Sequence, residues 1–279
     1  ERILSIPKII LFYLKTFLWP ADLAINQHWA VKTIDFPNFY LPLILVFTFF
    51  SLLLVFGYYL YKKDRSLIPS YLFFFFWFTI SLGMHLQLFP LDLTVSDRWF
   101  YLPMVGLLGI IGLVAQKLTI KKTFFQKLLM VLLLFLIVSL SIRTIIRNTN
   151  WKNGLALYSN DVLISKDAFD LENNLGVEFF RAGRFDEAKV HFEKSTNLAP
   201  NWWTNWNNLG AVEERSGDIP KAKKYYQKAI DNGRYYLAYE NVAKIILNKE
   251  KNPKEAKEFS QSSLNVLPEN PTLWTVLSI

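Results

Sequence analysis

Glu172-Asn-Asn-Leu-Gly-Val-Glu-Phe-Phe180 returns 34 residues later as Trp206-Asn-Asn-Leu-Gly-Ala-Val-Glu-Glu214. The same offset of 34 relates Ala188, Ala222 and Ala256, and likewise Phe192, Tyr226 and Ser260. Asn173, Asn207 and Asn241 share it too, and Pro200 and Pro268 stand 68 apart, twice the period. A fixed period of this length, carried by the same few residue types, means stacked copies of one supersecondary unit.

Leu-Gly early, then a small residue, an aromatic and a closing Pro is the signature of tetratricopeptide (TPR) repeats, each a pair of helices. The physics follows from the residue types. Small residues let paired helices approach, aromatics fill the gap between pairs, and Pro ends the second helix. The register predicts repeats at 169–202, 203–236 and 237–270, with 271–279 opening a fourth in which Trp274 and Leu277 take the places of Trp206 and Leu209. The third repeat is degenerate, with Ala243-Lys244 for Leu-Gly. Gly154 and Tyr158 lie 34 residues before Ala188 and Phe192, so residues 147–168 read as a connecting half-repeat.

Upstream the composition changes. Residues 1–150 hold 14 Lys and Arg against 6 Asp and Glu, whereas 151–279 hold 17 of each. The basic excess therefore belongs to the apolar half, which fits membrane topology and argues against nucleic-acid binding, where a folded basic face is needed. Residues 39–61 contain no charge over 23 positions, and 66–91 contain only His85 as an ionisable side chain over 26. Residues 99–116 add 18 apolar positions and 128–146 add 19, broken by Arg143. A helix of ~20 apolar residues crosses ~30 Å of hydrocarbon, so residues 39–146 are expected to form four spans. The predicted fold class is all-α, polytopic transmembrane helices followed by a TPR α-solenoid.

Orientation follows from the loops. Lys62, Lys63 and Arg65 join the first two spans, and Lys117, Lys121, Lys122 and Lys127 join the last two. Lys and Arg concentrate on cytoplasmic loops, so both links are expected inside. The 90–98 loop, residues 1–38 and the TPR array then lie on the extracytoplasmic side. Arg143 and Arg147 fall on that side against the rule, near enough to the interface to snorkel. Within 1–38, Lys8 and Lys15 stand seven apart on one helical face, with Ile9, Ile10, Phe17 and Leu18 available to lipid. That pattern predicts an amphipathic helix in the interface, followed by an outer loop. The chain opens on Glu1 without a Met or a signal-peptide layout, which predicts that it begins inside a longer protein.

Candidate chemistry is sparse. There is no Cys, so disulfides and thiolate metal sites are excluded. No Gly-rich phosphate loop, His/Cys metal cluster or nucleophile elbow is present in the sequence. The stretch SDRWFYLP (residues 96–103) puts Asp97 and Arg98 at a membrane surface, opening a span. A guanidinium there can hold a lipid phosphate with its planar fork. It can equally anchor the helix end through an Asp97–Arg98 pair, aided by Trp99 and Tyr101 as belt aromatics. Lys8 and Lys15 are weaker phosphate candidates. Asp92 is a metal-ligand candidate set against a solvated loop acid. His85 and Gln87 form a possible polar site near the end of the second span, functional by default if intramembrane. On the array, Asn173, Asn207 and Asn241 form one row and Asn174 and Asn208 a second. Their amides could bind a peptide backbone in a groove, or cap and bridge helices. Trp206 fits a packing aromatic.

SDRWFYLP after a span and a short Pro-containing loop resembles the transmembrane-and-TPR protein O-mannosyltransferase family and its prokaryotic relatives. YLKTFLWPADL (residues 13–23) and RNTNWKNGLALY (residues 147–158) resemble it as well. The resemblance implies a membrane glycosyltransferase of the GT-C architecture that takes a sugar from a polyprenyl-phosphate donor, with the TPR array binding the protein acceptor. It also implies a catalytic carboxylate in a first extracytoplasmic loop, expected upstream of this chain, so no catalytic residue is named and the piece alone is expected to be inactive. Transfer needs a base or electrostatic partner for the acceptor hydroxyl, and cations or a divalent metal on the leaving phosphate. Arg98, oriented by Asp97, is the expected phosphate contact. The alternatives are a non-enzymatic membrane-anchored TPR scaffold and a polysaccharide polymerase or ligase with a TPR tail.

Overall fold

The computed structural model describes residues 1–117 and 123–279. The expected Lys121 and Lys122 lie outside them. The described chain is all-α and divides into two compact units, one made of 1–152 with 163–167, the other of 153–162 with 168–279.

In the first unit, α1 (Arg2–Leu18) is followed by a π-helical turn Phe36–Tyr40 and then by α2 (Leu41–Lys63), α3 (Ile68–Gly83), α4 (Tyr101–Lys117) and α5 (Thr123–Asn150). Four stretches, Phe36–Lys63, Arg65–Gly83, Asp97–Lys117 and Thr123–Asn150, are long and apolar enough to cross a bilayer, and the chain is a membrane protein. In lipid there is little hydrophobic drive between helices, so close packing and interhelical hydrogen bonds carry their association. Both devices are present. A Cβ on Gly106 of α4 would lie 2.6 Å from the Phe78 nitrogen and 2.7 Å from the Phe74 carbonyl oxygen, so α3 and α4 meet backbone to backbone. The buried Tyr71 hydroxyl of α3 donates to the Leu53 carbonyl of α2 at 2.6 Å. At the far ends of these helices Lys117 pairs with Asp64. No residue of the apolar window of α5 is buried.

Two expectations are corrected here. The second span ends at Gly83, so His85 and Gln87 lie on a loop. Gln87 sits at φ +60°, and beyond it the loop residues pair with segment 25–29 instead of continuing the helix. Ile9 and Ile10 of α1 do not face lipid but are buried in the core of this unit, beside Tyr13. Tyr13 stacks on Phe100 with ring centres 5.2 Å apart, which turns that face of α1 inward.

The second unit contains α6 (Gly154–Ile164) as far as residue 162, then α7 (Phe169–Arg181), α8 (Phe185–Leu198), α9 (Trp203–Ser216) and α10 (Ile219–Asn232). These are followed by α11 (Tyr236–Lys244), prolonged by a π-helical turn Ile245–Lys249, and by α12 (Pro253–Leu264) and α13 (Pro271–Ser278). The Leu-Gly signature has a geometric cause. A Cβ on Gly176 would come within 2.6 Å of the Phe192 ring, and one on Gly210 equally close to Tyr226, both rings being buried. The degenerate repeat inverts the pair: Lys244 replaces glycine and the buried partner shrinks to Ser260. Ala188, Ala222 and Ala256 are fully buried at the helix crossings. Trp206 donates its indole N–H to the Pro200 carbonyl at 2.7 Å, and Trp274 repeats this with Pro268 at 2.8 Å.

Candidate functional site

The site-bearing region of the first unit is built on two loops knitted together. Gln27 bridges Val95 in an antiparallel pair, Thr94 Oγ1 donates to the Trp29 carbonyl at 2.6 Å, and the buried Ser96 hydroxyl donates to the Ile25 carbonyl at 2.7 Å. Ser96 thereby fixes the start of the 3-10 turn Asp97–Phe100 that carries Arg98 into α4. Tyr13, in contact with the Ser96 backbone, is pushed far up by burial and stays a neutral hydroxyl.

Beside this turn is a cleft of about 630 Å³. Phe17, Leu23, Ile25, Phe100, Met104 and Leu140 give it apolar walls, and Arg98, Arg143 and Arg147 give it three guanidiniums. Arg143 Nε donates to the Pro20 carbonyl at 2.8 Å, and a second nitrogen donates to Ala21. Arg147 is nearly buried, lies 3.7 Å from the Asp97 carboxylate, and has its guanidinium 5.7 Å from the centre of the Trp151 ring. Arg98 is exposed and makes no ion pair among the described residues. With Asp97 the lining carries a net of two positive charges. A cationic head above apolar walls is the arrangement that suits an anion attached to a hydrocarbon chain.

The expected residues are only partly brought together. Arg98 and Asp97 line the cleft, but Asp97 serves Arg147 and not Arg98. Arg143 and Arg147, set down from the sequence as exceptions to the charge rule, are the missing members. Their signal was a spacing of four on a helix, which places both on one face. Lys8 and Lys15 line a separate groove with Phe12 and Trp29. There Lys8 donates to Asn38 at 2.8 Å and Lys15 pairs with Asp22 at 3.0 Å. His85 stacks on Trp99, ring centres 5.1 Å apart, and partial burial lowers its pKa. Gln87 is a loop brace, its amide nitrogen donating to the Leu93 carbonyl and its oxygen accepting from Leu91 N–H. Asp92 is exposed. Among the described residues no three His, Asp or Glu side chains converge to hold a metal ion.

In the second unit the Asn rows form a ladder. Asn241 donates to Asn207 at 3.1 Å and Asn208 donates to Asn173 at 2.7 Å, each bond crossing from one repeat to the one before. Longer contacts of 3.5 Å join Asn207 to Asn208 and Asn173 to Asn174. The bridging and peptide-binding roles are compatible, because an amide that gives one N–H and accepts one bond keeps a second N–H and a second lone pair.

Comparison with known proteins agrees with both halves. The tetratricopeptide repeat family matches residues 173–201 and 204–232. Protein O-mannosyl-transferase TMTC3 of Homo sapiens is 24% identical over 196 residues, covering 65% of this chain and 21% of that protein. Protein O-mannosyl-transferase Tmtc2 of Drosophila melanogaster is 29% identical over 114 residues, covering 41% of this chain and 12% of its own. A chloroplastic tetratricopeptide repeat domain-containing protein, PYG7 of Arabidopsis thaliana, is 31% identical over 65 residues, 23% of this chain. The chain thus resembles the protein O-mannosyl-transferases across spans and repeats, and spans about a fifth of the length of TMTC3.

Proposed function

We propose that this chain, a membrane protein with TPR repeats similar to the protein O-mannosyl-transferases, works as part of a GT-C-type glycosyltransferase. Its Arg98 cleft receives the phosphate of a polyprenyl-phosphate sugar, and the TPR array holds the protein acceptor. The observation that carries this reading is the convergence of Arg98, Arg143 and Arg147 over apolar walls at one end of four spanning helices. When the sugar's C1–O bond to phosphate breaks, the acceptor oxygen bonds to C1 and gives up its proton to a base, and negative charge gathers on the leaving phosphate. Guanidiniums fixed beforehand stabilise that charge without reorganising. Arg143 and Arg147 are held by Pro20, Ala21 and Asp97, which leaves Arg98 as the arm that meets the ligand.

The cleft end of the spans is assigned to the extracytoplasmic side, and the array with it. The basic residues Lys62, Lys63, Arg65, Lys117 and Lys127 at the opposite ends support this orientation. Because the chain has no Cys, single cysteines at Asp92 and Lys63 report it directly. An impermeant maleimide added to intact cells should label the first and spare the second, and the reverse pattern would invert the topology.

The donor role is tested by cross-linking a photoreactive polyprenyl phosphate to the chain in nanodiscs. Arg98→Ala should lower labelling about tenfold or more, as expected for loss of one charge-assisted contact. Asp92→Asn should leave it unchanged. Equal labelling of Arg98→Ala and the native chain would overturn the assignment.

A further inference from the structure

Arg181, Arg215 and Lys249 repeat at the period of 34, near the end of each first helix of the array. Arg181 and Arg215 stand seven residues beyond Asn174 and Asn208, two turns along the same helical face. Lys249 closes the π-helical turn that prolongs α11. All three are exposed. The acids beside Arg215 and Lys249 in the sequence are committed elsewhere. Glu213 is held by Lys189 and Lys221, Glu214 accepts from the Tyr226 hydroxyl at 2.9 Å, and Glu250 pairs with Lys223. Arg215 and Lys249 make no ion pair among the described residues, and only Arg181 has one, to Glu178 at 2.7 Å. The array therefore presents a row of cations running parallel to its row of amides.

We infer that the TPR array takes an extended polypeptide segment carrying acidic side chains, its backbone on the Asn174–Asn208 row and its carboxylates toward Arg181, Arg215 and Lys249. This deepens the acceptor-holding role proposed above and rests on it. A peptide fits better than an anionic membrane surface because each amide offers both a donor and an acceptor. A peptide backbone uses both, whereas a lipid phosphate only accepts. Charge complementarity then sets which segments are preferred.

The test is fluorescence anisotropy with the full chain in neutral phosphatidylcholine nanodiscs, comparing a labelled extended Glu-rich peptide with its Gln counterpart. At low salt the Glu peptide should bind about fourfold more tightly, Arg215 and Lys249, the two cations without an ion pair, each contributing a factor of about two. The preference should shrink as salt rises. R181Q/R215Q/K249Q should bring the ratio near one, whereas Asn208→Ala should weaken both peptides alike. Equal binding of the two peptides by the native chain, or a ratio that survives the triple variant, would overturn the inference. So would loss of anionic-vesicle binding in the triple variant without any peptide discrimination. No sugar donor enters the assay, so its failure leaves the Arg98 cross-linking result standing, and the converse also holds.

Discussion

The Asp97 carboxylate faces the Arg147 guanidinium at 3.7 Å, joining the turn that opens α4 to the last turn of α5. Both groups are largely withdrawn from water, Arg147 more than Asp97. Removing one partner takes this compensating charge away from the other. Arg147→Gln is expected to destabilise the first unit by about 1–3 kcal/mol, and Asp97→Asn/Arg147→Gln to recover part of that loss. Thermal unfolding in detergent measures both. Strictly additive losses would show that the pair is not coupled.

Gly106 makes a sharper steric prediction. Its neighbours are backbone atoms of Phe78 and Phe74, which cannot turn aside as a flexible side chain can. Gly106→Ala should force α3 and α4 apart at a cost of about 1–3 kcal/mol. Gly112→Ala, where nothing lies within 4 Å, should be neutral or slightly stabilising. The two variants share one helix and one change of residue, so an equal response in unfolding temperature would discard the explanation.

In the array, Gly210 and Tyr226 exclude each other's growth, and the third repeat has exchanged their sizes as Lys244 and Ser260. Gly210→Lys alone should be severely destabilising. Gly210→Lys/Tyr226→Ser should be less so than the sum of the single changes, with a coupling energy of about 1–3 kcal/mol. A double-variant cycle in denaturant supplies that figure.

Acid should loosen the first repeat through Glu172. Burial pushes this carboxyl up, but hydrogen bonds from His191 at 2.7 Å and from Lys194 outweigh burial and hold its pKa below the ordinary value. A folded pKa below the unfolded one contributes stability above the unfolded value, about 4.3. That contribution is lost as pH falls through the lower folded value. Stability between pH 5 and 7 should therefore vary little on account of this group, then drop on acidification below about pH 4. Glu172→Gln should flatten the drop, and an unchanged acid limb in that variant would assign the loss to other groups.

The sequence made one-dimensional features plain. Charge-free runs located the spans, and the 34-residue register located the repeats, down to the glycine that admits Tyr226. Relations between distant segments were not visible. Arg98 and Arg147 meet only because α5 returns beside the turn fixed by Ser96. Lys8 and Lys15 stay apart from them because α1 turns Tyr13 toward Phe100 and presents its lysines to another groove. His85 and Gln87 read as membrane-embedded because apolar composition continues to Leu91, although the helix stops at Gly83. Composition does not record where a loop finds backbone partners, and here the partners are on segment 25–29.

The Asn ladder has a polarity: each repeat donates to the one before it, Asn241 to Asn207 and Asn208 to Asn173. Residues 203–236 carry both the giving and the receiving member of that joint, and Trp206 asks of the preceding repeat only a backbone carbonyl. That segment is a nearly self-compatible module. A second copy spliced in tandem would find its Asn ladder matched on both sides, while its buried Asn205 would meet Ala229 where Ser195 now donates to it. Ala229→Ser in the first copy completes the joint and makes the length of the array a free variable for engineering.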